Sequence, residues 1–119
     1  DSTLKTYNNY GSNVVEFNEK NSSGNLVDAI KIDDLDLQKK ISFMKIDVQG
    51  YDLKVLIGAK KTIKKNKMPI IVEYSKEFED RFNYKFSDFL KILEQFNYKI
   101  EKKITEANYL IVYDNKLDK

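Results

Sequence analysis

The stretch FMKIDVQGYDLKVLIGA, residues 43–59, begins as a short apolar run, closes on the acid Asp47, turns at Gly50 and continues with helical spacing. An apolar run that ends in a carboxylate and passes into a helix is how an α/β protein presents a functional group at the carboxyl end of a strand. Residues 41–47 are too short for a helix and apolar on both faces, which predicts a central strand of a parallel sheet. From Asp52 to Lys65 the apolar positions 53, 56, 57 and 63 share one helical face, with lysines at the carboxyl end where the helix dipole favours them.

Working outward, MPIIVEY at 68–74 is a second β-branched run with Pro69 at its start, and predicts a second central strand. The apolar residues of FSDFLKILEQF, 86–96, fall at helical spacing, with Ser87 as the expected N-cap and Asn97 as a left-handed C-cap. YKIEKKI and NYLIVYD then alternate on either side of a polar turn and predict an antiparallel hairpin at a sheet edge. On the amino-terminal side, Val27, Ile30 and Ile32 predict a short strand before the acidic cluster Asp33, Asp34 and Asp36. Residues 1–25, rich in Asn, Ser and Gly, read mostly as loop. The order is strand, helix, strand, helix, hairpin, which defines an α/β layered sheet.

The 119 residues suit one domain, and eight Tyr and seven Phe supply bulk for its core. With 21 basic and 19 acidic residues there is no broad positive field to draw nucleic acid or an anionic membrane. No apolar run reaches the roughly 18 residues of a membrane span, and the amino terminus lacks a signal-peptide layout, so a cytoplasmic protein is expected. The chain has neither Cys nor His. Disulfides, thiolate zinc sites and imidazole bases are thereby excluded, and acid–base chemistry must use Asp, Glu, Lys or Tyr.

A two-residue period places Phe43, Lys45 and Asp47 on one strand face, and Pro69, Ile71 and Glu73 on one face of the next. If those strands are parallel neighbours, Lys45, Asp47 and Glu73 gather at the carboxyl edge, where open α/β sheets bind ligands. Charges in strands this apolar must be paired if buried, so Lys45 is expected to pair with Asp47 or Glu73. A structural ion pair and a plain turn at Gly50 would explain the same residues without chemistry. The five lysines in 60–67 read as a solvated helix end, and Gly58 as a point of close packing against the sheet.

Residues 28–78 as a whole resemble the distal half of the FkbM-type S-adenosylmethionine-dependent methyltransferases. The shared pieces, in order, are Ile32-Asp33-Asp34-Leu35, Lys45 to Gly50, Val55-Leu56-Ile57-Gly58-Ala59 and Pro69 to Glu73. The resemblance implies a Rossmann-like methyltransferase sheet, represented by its distal half over residues 26–119, with a carboxyl-terminal antiparallel hairpin. It implies S-adenosylmethionine as cofactor and a small-molecule or carbohydrate hydroxyl as acceptor, with neither nucleic acid nor membrane as partner. Asp47 would lie near the cofactor's methionine moiety and the acceptor pocket, for positioning or for taking the acceptor's proton. Glu73 is the second catalytic candidate, and Gln49 and Gly50 would line the same pocket.

The family's Gly-rich loop and ribose-binding acid have no counterpart in these residues, so an amino-terminal half of the same domain is expected to supply them. The competing expectation is a non-catalytic α/β binding or assembly module. A response-regulator receiver fits poorly, because Asp33 and Asp34 lie too close to Asp47 and the next strand ends in Glu73 rather than Ser or Thr. Asp47 and Glu73 offer only two oxygens to a hard cation, fewer than magnesium usually takes, and no metal ligand is assigned.

Overall fold

A computed structural model describes residues 26–117 of the chain. Its regular elements are β1 (Met44–Ile46), α1 (Asp52–Gly58), α2 (Lys60–Asn66), β2 (Ile70–Glu73), α3 (Glu79–Phe82), α4 (Phe86–Phe96), β3 (Tyr98–Lys103) and β4 (Asn108–Tyr113). The four strands form one sheet in the order β1-β2-β4-β3. β1 and β2 are parallel, while β4 runs antiparallel to both β2 and β3. The fold is therefore mixed α/β, with the expected crossover between two parallel strands followed by the expected hairpin. The loop expected over 1–25 lies outside the described residues.

Alternation decides which side of the sheet is core. Ile46, Ile70, Val72 and Ile111 are buried and join Leu53, Leu56 and Ile63 of α1 and α2 and Phe89, Leu93 and Phe96 of α4 in a single cluster. Each fully buried aliphatic or Phe side chain in such a cluster stabilises the fold by about 1.5–3 kcal/mol relative to exposure. α4 spans the predicted residues because Phe89, Ile92, Leu93 and Phe96 fall on the stripe facing this cluster, with Phe86 packed beside it, whereas Leu90 lies off the stripe and is exposed. Asn97, at φ 58°, ends it in the left-handed cap expected. Tyr98 then enters β3 buried, and its hydroxyl donates to the Met68 carbonyl at 2.7 Å, which ties the strand to the start of β2.

Several expectations are corrected. No strand forms over Val27, Ile30 and Ile32: Leu26, Val27 and Ile30 are 89%, 75% and 70% exposed, so the apolar spacing there matches no buried face. Ile32–Asp34 instead makes a 3-10 turn. That turn puts the Asp33 carboxylate over the start of α2, where it accepts the Lys61 and Thr62 N–H groups at 2.9 Å each and the Thr62 hydroxyl at 2.8 Å. Burial raises the Asp33 pKa, but these hydrogen bonds outweigh it and leave the net value lowered.

The strand expected over 41–47 is regular only from Met44 to Ile46. Among the described residues it borders β2 alone, and Phe43 is 51% exposed. The helix expected as one piece from Asp52 to Lys65 breaks at Ala59 (φ −110°, ψ 14°). The break gives two short helices that direct Leu56 and Ile63 into one core. Gly58 faces Lys31, not the sheet, and a Cβ there would meet Lys31 only at an ordinary 3.5 Å. The N-cap of α4 is Lys85, not Ser87: its extended backbone turns the N–H onto the Asp88 carboxylate at 2.8 Å, and Ser87 already lies within the helix.

Candidate functional site

The parallel register pairs Met44 with Ile70, Lys45 with Ile71 and Ile46 with Val72. One step further along both chains stand Asp47 and Glu73, on the face opposite the buried Ile46 and Val72. The structure thus brings the two predicted acids together at the carboxyl ends of adjacent parallel strands. Their side chains are hydrogen bonded to each other.

Asp47 is exposed and Glu73 half-buried. Partial burial pushes the Glu73 pKa up, and the hydrogen bond and negative charge of Asp47, followed by the charges of Asp52 and Glu77, push it further, to about 7. The pair therefore retains one proton close to neutral pH, with the Glu73 O–H donating to the Asp47 carboxylate. Lys45 does not neutralise it as expected. The Lys45 side chain is exposed, so no burial penalty forces it into an ion pair, and the charges that act on Glu73 are acids.

Gln49 and Gly50 form the turn after Asp47, both at positive φ, 52° and 102°. The Gln49 side-chain amide donates to Asp47 Oδ1 at 3.4 Å. Gly50 is buried: a Cβ built on it would lie 2.2 Å from Phe82 Cε2 and 2.9 Å from Phe78 Cγ. Only a residue without a side chain both adopts this φ and lets those rings close over the turn. The Tyr84 hydroxyl completes the cover by donating to the Gly50 carbonyl at 3.3 Å. Burial and the charges of Asp52, Glu73 and Glu79 push the Tyr84 pKa up to about 12, so its phenol stays protonated and remains a donor. Tyr74 lies one residue past the end of β2 and points into the aromatic core. There it stacks on Phe89 at 5.7 Å between ring centroids, and its hydroxyl donates to Glu79.

The residue that sequence reasoning missed is Asp52. It is 1% exposed, yet acidic. Its Oδ1 accepts the Val48 N–H at 3.4 Å, and its Oδ2 accepts the Glu73 N–H at 3.2 Å. Burial raises its pKa to about 6 against the lowering effect of backbone donors from Glu73, Val48 and Gly50, and the Asp47 charge adds to the rise. In the sequence it looks like an ordinary acid in a helix's first turn. Its partners lie 4 and 21 residues away, so only a search for acids with no exposed face would have singled it out.

The arrangement is an acidic edge with one shared proton, open on the solvent side and anchored from below. Such an edge suits an electropositive ligand or a hydroxyl that must lose a proton. Among the described residues no group of three acids is placed to hold a metal ion. Among them, too, no helix is long and apolar enough to cross a membrane.

The methyltransferase FkbM domain is matched over residues 2–100, most of the chain, and the chain belongs to that family. No curated protein and no solved structure matches it. The matched segment contains every element of the acidic edge, from Asp47 through Glu73 to Tyr84.

Proposed function

We propose that this chain carries the acceptor side of an S-adenosylmethionine-dependent O-methyltransferase site, with Asp47 and Glu73 as the groups that receive the acceptor's proton. The observation that carries the reading is the Asp47–Glu73 pair: two hydrogen-bonded carboxyls, one poised near pH 7, at the carboxyl ends of adjacent parallel strands in a methyltransferase family domain. On this reading the mixed sheet is the distal part of a Rossmann-like methyltransferase sheet.

The residues fit one end of the cofactor. An exposed acidic edge favours a cationic sulfonium close by, and Asp47 with its hydrogen-bonded neighbour Gln49 would hold the methionine end. Among the described residues no Gly-rich strand-to-helix turn and no ribose-binding acid stands at a strand end. Those groups belong, on this proposal, to an amino-terminal half of the same domain. When bound, S-adenosylmethionine supplies an electrophilic methyl group. What the chain itself does is orient and deprotonate. The Asp47 carboxylate, fixed by Gln49 and Glu73, accepts a hydrogen bond from an acceptor hydroxyl and takes its proton, and the pair stores it at a strength matched to neutral pH. Positioning of this kind together with a base contributes about 10²–10⁴-fold to a rate.

The acceptor is a small molecule or carbohydrate bearing a hydroxyl, in keeping with an edge of acids rather than a basic groove. The test is calorimetric titration of the full protein with S-adenosylmethionine, followed by transfer of its labelled methyl group to a panel of small hydroxyl compounds and sugars. Binding with transfer that Asp47→Asn and Glu73→Gln each suppress is the expected result. Binding with transfer unaffected by either substitution would remove the pair from the chemistry, and no binding at all would favour a non-catalytic module.

A further inference from the structure

Nearly all of the acidic edge is explained by its exposure to solvent, but Asp52 is not. A carboxylate with 1% exposure is costly at the start of α1 unless it is hydrogen bonded. What an apolar residue would lack is two acceptor oxygens aimed at two different pieces of backbone. One is the N–H of Val48, the residue that follows Asp47; the other is the N–H of Glu73 itself.

We propose that Asp52 is the positioning residue of this site: its buried carboxylate fastens the backbone beside Asp47 to the backbone of Glu73 and so holds the two acids in register. The β ladder alone does not do this, because the pairing of β1 with β2 ends at Ile46 and Val72, one residue short of both acids. Beyond that point the β1 chain turns through Val48, Gln49 and Gly50, and the Asp52 carboxylate takes over from the ladder as the link between the two strand ends. Gly50 contributes a further backbone donor to the same carboxylate. An Asn in this place would keep one oxygen and turn an NH2 group toward a backbone N–H, so one of the two ties would be lost. The negative charge matters as well, since Asp52 is among the groups that keep the proton on Glu73.

This inference rests on the proposed role of Asp47 and Glu73, yet its readouts need no methyl transfer. The charged groups that act on Asp52 or Glu73 are Asp47, Glu77 and, for Glu73, Asp52 itself, all carboxyls; Tyr84, which both acids act on in turn, stays protonated. In the wild-type full protein, backbone amide resonances are followed by NMR against pH. The Val48 and Glu73 amides are expected to move together with a common midpoint near the Asp52 value of about 6, as protonation weakens both bonds. In Asp52→Asn that shared transition disappears, amide exchange at Val48 and Glu73 accelerates by about tenfold or more, and the upper carboxyl midpoint of the Asp47–Glu73 pair falls. Independent or absent titration of the two amides in wild type overturns the proposal, even if the variant does not fold. So does a variant whose pair keeps its midpoint. Loss of the methyltransferase reading would show separately, as absent cofactor binding with the amide coupling intact.

Discussion

The Asp47 and Glu73 carboxyls are hydrogen bonded to each other, and the two residues occupy equivalent places one step past the last paired positions of parallel strands β1 and β2. Asp47 therefore helps set the protonation of Glu73. Asp47→Asn removes the negative charge and leaves only a neutral amide oxygen as acceptor, so the Glu73 carboxyl should titrate closer to its ordinary value of 4.5. Carbon-13 NMR of the labelled carboxyl groups reads this directly. A Glu73 midpoint that stays near 7 in the variant would mean that burial with the charges of Asp52 and Glu77 sets it without Asp47.

The raised values of Asp52 and Glu73 also fix a sign for stability. Each carboxyl has a folded-state pKa, about 6 and about 7, above its unfolded value of 3.8 or 4.5. Their contribution is therefore complete below about pH 4 and is lost as pH rises through 6 to 7. Asp33 has the opposite shift, lowered from 3.8, so its contribution is lost only on further acidification and does not mask the effect. The melting temperature should be higher near pH 5 than near pH 8, and Glu73→Gln should flatten that difference. Calorimetric scans across the range check it; a difference unchanged in the variant would assign it to other groups.

Asp33 caps α2 from a distant turn, with three hydrogen bonds to Lys61 and Thr62. Asp33→Ala should cost about 1–2 kcal/mol, the range for loss of a strong helix cap. Urea denaturation at neutral pH measures this. A loss much below 0.5 kcal/mol would mean that water replaces the carboxylate there at little cost.

Gly50 combines a positive φ with no room for a methyl group beneath Phe82 and Phe78. Gly50→Ala should destabilise by about 1–3 kcal/mol from strain and overpacking together. Adding Phe82→Ala should relieve the steric part of the first contact, leaving the backbone strain. If the single change is neutral, the rings are not seated on the turn as described.

The sequence made much of this legible. Helix α4 was readable because Phe86, Phe89, Leu93 and Phe96 repeat at one helical spacing and Asn97 is suited to the left-handed end. Asp47 and Glu73 were readable because charges at the ends of apolar runs are conspicuous, and parity placed them on one face. The features that escaped depend on distant contacts. The split at Ala59 leaves the apolar period intact, so no pattern announces it. The exposed Val27 and Ile30 look like buried positions until their surroundings are known. Lys85 became the cap because Asp88 reaches back to its N–H, an interaction that residue preference at Ser87 does not reveal. Asp52 is the clearest case, since its burial comes from the meeting of the β1 turn with the end of β2.

On the proposed function the Asp47–Glu73 pair receives the acceptor proton during methyl transfer. The most direct test is the rate of labelled methyl transfer from S-adenosylmethionine to a hydroxyl acceptor, in wild type and Glu73→Gln, from about pH 5 to about pH 9. The wild-type rate should rise through a midpoint near the Glu73 value of about 7, as the pair becomes free to take a proton. In Glu73→Gln that midpoint should be lost and the rate should fall by about 10²-fold or more. A wild-type profile with no inflection near 7, matched by an unimpaired variant, would contradict the claim.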